Sequence, residues 1–257
     1  MARTEYGLQM YSLRDITKTD LKGALKVAAD LGYKYIEFAG FFDHSAEEVK
    51  GWLDEYGLVC CSTHTGVSLL ADDKLEDTLR YHQVIGCSRL IIPGADWSTE
   101  ESFNKNLALF AKAQKKAAEY GIEVGYHNHS GEFFVTPYGK VIEDEILKNT
   151  DLKVQIDTFW SFNAGLDSVA YLESIKNRVF AVHLKDGIPT EAENRAWSTW
   201  TKGVQGKSLG DGKAPVAAVR EYALKNGLCM VVESETCQPT GIEEVGRCIR
   251  YLRSLEA

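Results

Sequence analysis

Three short apolar runs in this sequence end on a side chain that can hold a metal ion: KVQID on Asp157, VFAVH on His183 and CMVVE on Glu233. A fourth run, GYHNHSGEF, carries His127 and His129 two positions apart, with Glu132 just beyond. Two carboxylates with one or two imidazoles make a mixed nitrogen–oxygen ligand set. Such a set suits a divalent ion, Mn or Zn foremost, with Co, Fe or Mg also compatible and Ca less so. The ion can hold two adjacent oxygens of a sugar and polarise a carbonyl, which lowers the cost of removing a proton from the neighbouring carbon. Glu233 can then bind the metal or act as a base. His127 is the reading for the fourth ligand, with His129 and Glu132 beside the substrate and both still open as alternatives for that place. Taken singly, each residue has a plainer explanation, since a strand-end Asp often caps the next helix and a lone His is usually a satisfied polar group. Their recurrence at equivalent positions of consecutive units is what favours one shared site.

For these residues to converge, the elements carrying them must be arranged alike. Short β-rich runs alternate with helical patterns from end to end. The predicted strands are Tyr6–Tyr11, Tyr35–Phe38, Val59–His64, Arg89–Ile92, Glu123–His127, Lys153–Asp157, Val179–His183 and Leu228–Glu233. Each is short and apolar, as a strand covered on both faces should be. Helices are predicted near 20–31, 45–55, 72–86, 98–119, 140–149, 168–176, 215–226 and 242–255. Gly32, Gly57, Gly86, Gly121 and Gly227 sit where a helix should stop before the next strand. Such units in series predict an α/β protein, a single (β/α)8 TIM barrel over residues 1–257. An open doubly wound sheet is the alternative, but no Gly-rich phosphate turn follows the first strand, which counts against a dinucleotide-binding version.

In a barrel the end of each strand faces the catalytic mouth. Gln9 and Tyr11 on the first strand, Glu37 on the second and His64 on the third are therefore candidate substrate-binding residues, as are Glu132 and Trp160. The bland reading of Gln9 and Glu37 is an internal polar network, and that of Trp160 is space filling rather than stacking on a sugar. Lys185 could stabilise an enediolate oxygen or pair on the surface with Asp186. The candidate catalytic residues are Glu233, His127, His129 and Lys185. The longest irregular stretch, 185–214, holds Trp197, Trp200 and a glycine series. It reads as an active-site loop or as a surface excursion packed by its tryptophans.

Composition narrows the partners. With 29 basic against 37 acidic residues the formal charge is −8, which disfavours nucleic acid and anionic membrane surfaces. No apolar run approaches the roughly 18 residues of a membrane span, and the N-terminus lacks a signal-peptide layout, so the expected location is cytoplasmic. The six cysteines form no C-x-x-C pair and read as free buried thiols. The expected partner is a small sugar or keto-sugar. Barrels often pair as homodimers, but nothing in the sequence identifies an interface.

The residues together resemble the xylose isomerase-like barrel superfamily, and within it the sugar phosphate isomerase/epimerase group. The resemblance runs through GLQMYSLRD, YHNHSGEF, QIDTFW, HLKDG, LGDG and VVESE, nearly the whole chain. The set is specific; singly, only YHNHSGEF and HLKDG are informative. Ketose 3-epimerases of this superfamily bind a divalent metal through Glu, Asp, His and Glu on strands five to eight. That resemblance implies Asp157, His183 and Glu233 as ligands. Strand five departs from it, because His127 stands where those epimerases place an acid/base Glu, and Trp160 stands where they have a His. The chain is closer to an "HNH" branch, which includes keto-sugar epimerases and enzymes that eliminate from 3-keto-glycosides. The expected function is therefore a metal-dependent isomerase or epimerase, with a lyase or hydrolase of 3-keto-glycosides as the alternative. The loops LKDGIP and SETCQP offer no phosphate cradle, so an unphosphorylated sugar is favoured. An abasic-site endonuclease, which the superfamily also contains, would need a basic groove and more ligands than six histidines and a charge of −8 supply. A non-catalytic sugar-binding barrel is the remaining class.

Overall fold

The computed structural model describes residues 4–256. Eight parallel strands close into a barrel: β1 (Gly7–Gln9), β2 (Tyr35–Phe38), β3 (Val59–His64), β4 (Arg89–Ile92), β5 (Glu123–His127), β6 (Lys153–Asp157), β7 (Val179–Leu184) and β10 (Cys229–Val232), with β10 pairing back to β1. The helices between them are α1 (Arg14–Thr17), α2 (Leu21–Leu31), α3 (Ala46–Tyr56), α4 (Asp72–Ile85), α5 (Glu100–Ala118), α6 (Ile142–Asn149), α7 (Thr158–Asn163), α8 (Ser168–Ser174), α9 (Val216–Asn226) and α10 (Gly241–Ser254). Their ends follow the local chemistry. Ser45 and Glu48 form a reciprocal capping box at α3, and Gly57 closes that helix at φ +65°, where a side chain is disfavoured.

Outward-facing strand residues such as Ile36, Val154 and Val232 pack with Leu25, Val49 and Leu252 of the helix shell. Leu90, Val124 and Tyr126 pack with Leu79, Phe103 and Phe110 on the other side. Each full burial of this kind stabilises by about 1.5–3 kcal/mol. The bore is plugged at its lower end by Phe180, which touches Ile91, Ala181 and Cys229. Gly125 makes room for it, since a Cβ there would lie 2.5 Å from the Phe180 ring.

Two features differ from the sequence reading. The first strand stops at Gln9, because the Gln9 side chain accepts the Tyr11 N–H at 3.0 Å and turns the chain into a 3₁₀ helix, Met10–Leu13. Tyr11 is therefore an exposed rim residue rather than a strand residue. The stretch 185–214 contains a two-stranded antiparallel hairpin, β8 (Asp186–Ile188) with β9 (Gln205–Lys207). Asp186 organises it. Its carboxylate accepts backbone N–H groups from Gly187 at 2.8 Å and from Gly210, Gly212 and Ala214 at 3.0 Å. This accounts for the HLKDG and LGDG motifs together, since a Cβ on Gly212 would meet Asp186 Oδ1 at 2.1 Å. Among the described residues no helix is long and apolar enough to cross a membrane, and all six cysteines are free.

Candidate active site

Side chains alternate along a strand, so Gln155 and Asp157 on β6 share the inner face of the barrel. Asp157 is level with His183 on β7, and His183 with Val231 on β10. Glu233 follows one residue past β10, its backbone N–H held by Leu184 O at 3.1 Å. His127 on β5 is level with Gln155. His127, Asp157, His183 and Glu233 are all buried and each offers a ligand atom, all within 4.8 Å of one another.

The layer beneath them fixes which ring nitrogens face the cluster. Glu37, fully buried, accepts from Gln9 Nε2 at 2.7 Å, Ser62 Oγ at 2.6 Å and Gln155 Nε2 at 2.6 Å. His183 Nε2 lies 2.6 Å from Glu37 Oε1, so it donates there and its Nδ1 faces the cluster. Gln155 turns its amide nitrogen to Glu37 and thus presents its carbonyl oxygen to His127 Nδ1 at 3.0 Å and His64 Nε2 at 2.8 Å. A carbonyl only accepts, so His127 donates from Nδ1 and keeps Nε2 free. A carboxylate or amide behind an imidazole is the arrangement that orients metal-ligating histidines.

Asp157 divides its two oxygens. Oδ1 caps α7 by accepting Trp160 N–H at 2.8 Å, while Oδ2 is buried with no hydrogen-bond partner among the described residues. Burial, with Glu233 adding to it, pushes the Asp157 carboxyl up to about 7 despite the nearby Lys185. The Lys185 ammonium is buried 3.1 Å from Glu233 Oε2 and 3.8 Å from Asp157 Oδ2, is bonded to Glu235, and lies 4.8 Å from the Trp160 ring centre. Burial alone would lower its pKa, but Glu233, Asp157 and Glu235 outweigh it and hold the ammonium above its ordinary range. Burial also opposes the charge on His183, yet Glu37 and Glu233 raise that imidazole to about 10. His129 moves the other way: burial and Lys185 hold it down at about 4, so it is neutral near pH 7. His183 Nδ1 meets Glu233 Oε2 at 3.2 Å through a proton that a metal ion would displace. A buried carboxylate oxygen without a hydrogen bond, beside two imidazoles that each aim a ring nitrogen at the cluster and a second carboxylate, fits a divalent cation.

Above the cluster opens a cavity of about 490 Å³ lined by Tyr11, Ala39, His64, Pro93, His127, His129, Glu233 and Glu235. Among the residues expected to bind substrate, His64 and Tyr11 therefore reach the cavity. Gln9 and Glu37 do not; they are fully buried below it and spend their polar atoms on each other and on His183. Trp160 is packed behind Lys185 and lines a side cavity instead. Glu132 is no ligand to the cluster, because Tyr126 OH and His129 N–H occupy its two oxygens at 2.8 and 3.0 Å. Lys185 points inward and does not pair with Asp186. The sequence reading missed Gln155 and Glu235. Gln155 was detectable, standing two residues before Asp157 on the same strand face; Glu235 lies beyond the strand, where no periodicity marks it.

Comparison with known proteins places this geometry. The family model described as xylose isomerase-like TIM barrel matches residues 25–255. An inosose dehydratase from Geobacillus kaustophilus (strain HTA426) is 24% identical over 189 residues, 63% of this chain and 60% of that protein. The chain thus matches about 60% of that relative's length. A sugar phosphate isomerase/epimerase from Parabacteroides distasonis ATCC 8503 superposes with a TM-score of 0.79 at 23% identity, covering 98% of each chain. The probable 3-DHS dehydratase AsbF of Bacillus anthracis does so with a TM-score of 0.73 at 15% identity, covering 97% of this chain and 99% of its own. At these identities the structural likeness is one of fold. The family match covers nearly the whole chain, which belongs to the xylose isomerase-like TIM barrel family.

Proposed function

We propose that this chain is a divalent-metal-dependent isomerase or epimerase of an unphosphorylated sugar or keto-sugar, moving a proton on the carbon next to a carbonyl. The observation that carries the reading is the unpartnered Asp157 Oδ2 beside His127, His183 and Glu233. Those four residues would hold the ion, with Mn or Zn the best match to the donor set. When bound, the ion supplies Lewis-acid polarisation of the carbonyl and anchors the adjacent oxygen. Glu37 and Gln155 keep the two imidazoles oriented toward the cluster. Lys185 places a positive charge beside Glu233, where negative charge on the substrate would develop. His129, neutral and on the cavity wall, can accept a proton, and Glu233 stands beside it as the second candidate. His64 and Tyr11 would touch the sugar from the β1–β3 side.

The test is solvent exchange. Metal-loaded protein incubated with ketoses in D₂O should place deuterium on the carbon next to the carbonyl without loss of any group. Absence of uptake across a panel of ketoses would contradict the proposal. A second reading, elimination from a 3-keto-glycoside with His129 as base, is favoured by the position of His129 between two cavities. The similarity to a dehydratase is in keeping with it. Release of a leaving group in step with exchange would select that reading.

A further inference from the structure

Next to the cavity over the cluster lies a second one, about 540 Å³, and His129 forms part of the wall of both. Asp96, Trp97 and Ser98 from the loop after β4 line it on one side, and Trp197 and Trp200 from the loop between β8 and β9 on the other. Small-molecule pockets run from about 300 to 1,000 Å³, so the first cavity alone has room for a sugar ring. A monosaccharide would leave the second one unused.

This second cavity has braced walls. Trp97 is buried, its indole N–H donates to Tyr126 OH at 2.8 Å, and its carbonyl accepts from Tyr138 OH at 2.9 Å. Asn106 holds the Asp96 carbonyl at 2.8 Å. Trp200 stands edge-on to Trp160 with ring centres 5.3 Å apart, and its carbonyl is tied to Asn163 Nδ2 at 3.0 Å. Gly131 lets the indole approach, since a Cβ there would lie 3.0 Å from Trp200 Nε1. Trp197 and Trp200 are nonetheless only half-buried, leaving indole surface open. Asp96 Oδ1 accepts Ser98 N–H at 3.0 Å and Ser98 Oγ–H at 2.6 Å, while Oδ2 has no protein donor among the described residues.

An apolar aromatic platform with a free carboxylate oxygen at its rim matches a sugar ring. The ring's C–H face covers indole, and its hydroxyls donate to the carboxylate. A purely aromatic group would use the platform and leave Asp96 unused. A phosphate would meet Asp96 and Glu132 with no Lys or Arg among the lining residues. We infer that the substrate is a glycosylated keto-sugar, whose second sugar ring sits between the β4 loop and Trp197 and Trp200 while the first sits over the cluster. The inference rests on the reading of the cluster given under Proposed function.

The test is calorimetric binding to the Mn-loaded protein. The probes are D-fructose and three disaccharides carrying glucose on fructose at different positions: turanose, maltulose and isomaltulose. At least one disaccharide should bind about tenfold more tightly than fructose, the size of gain one stacked ring gives. Trp200→Ala and Trp197→Ala should each bring the disaccharide-to-fructose affinity ratio toward one. Asp96→Asn, a change on an exposed loop that keeps the fold, should lower the ratio less. No disaccharide binding more tightly than fructose, or a preference that survives all three substitutions, would overturn the inference. The Mn content of the same samples separates the two failures. Bound Mn with a ratio of one removes only the second-ring seat, and missing Mn removes the cluster reading and the inference with it.

Discussion

Glu37 and Asp157 are both fully buried carboxylates in one bore, and His183 stands between them, 2.6 Å from the first and 3.9 Å from the second. Their surroundings are opposite. Glu37 is met by Gln9, Ser62, Gln155 and His183; burial would raise its pKa, but His64 and His183 outweigh burial and hold it at about 2. Asp157 has one oxygen on a helix N-terminus and the other without a hydrogen bond among the described residues, with Lys185 no closer than 3.8 Å, and burial carries it up to about 7. A satisfied buried carboxylate is a positioning device, since it has no capacity left for a ligand. An unsatisfied one is costly to keep, and the fold keeps it where a cation could repay the cost.

The comparison breaks most visibly at Glu37. Glu37→Ala would leave His183, Gln155, Gln9 and Ser62 without their common acceptor, and removing one partner of a buried charged network costs about 3–5 kcal/mol. The unfolding free energy should fall by that amount, read as a lower denaturation midpoint, and metal affinity should drop about 10–100-fold as the His183 ring loses its orienter. An unchanged midpoint would mean that the lower layer is not holding the barrel together.

A third buried carboxyl sharpens the contrast from outside the bore. Glu143 on α6 accepts from Tyr171 OH at 3.1 Å, its other oxygen has no hydrogen-bond partner among the described residues, and burial, with Glu132 adding to it, raises it to about 8. The folded chain thus keeps this proton to higher pH than the unfolded chain, whose value is near 4.5. Its contribution to stability is full below that value and is lost as pH rises toward 8, at a rate of about 1 kcal/mol per pH unit. Glu143→Gln should flatten the pH dependence of the midpoint between pH 5 and 8 relative to the parent chain. Parallel curves for the two proteins would show that the carboxyl is ionised throughout.

The smallest expected change in the metal-free protein is at Asp157. Asp157→Asn keeps the helix-capping oxygen and removes a charge that burial already opposes, whose other oxygen has no hydrogen bond among the described residues and only the longer ionic contacts to Lys185 at 3.8 Å and His183 at 3.9 Å. Metal-free stability should therefore move by less than about 1 kcal/mol, in contrast to Glu37→Ala. A loss as large as that of Glu37→Ala would place Asp157 in the satisfied class and erase the distinction.

Much of this was legible in the sequence, and the remainder has physical causes. The glycine-terminated helices and short apolar strands specify the barrel, because each unit repeats the same local solution. Asp157, His183 and Glu233 were readable because each closes an apolar run. The fate of Tyr11 was not, since one side-chain hydrogen bond from Gln9 ends the strand early. Asp186 was readable as a neighbour of Lys185, but its role depends on three amides from a loop more than twenty residues away in sequence. Gln155 and Glu37 orient the rings of His127 and His183 only once the barrel closes and brings β2 against β6 across the bore.

The most direct test of the account is a calorimetric titration of the metal-free protein with Mn and with Zn, run in parallel on Asp157→Asn. The account predicts one tight site per chain, and its loss in Asp157→Asn with the far-ultraviolet spectrum and metal-free midpoint retained. One site of equal affinity in both proteins, or no site in the parent chain, would contradict it.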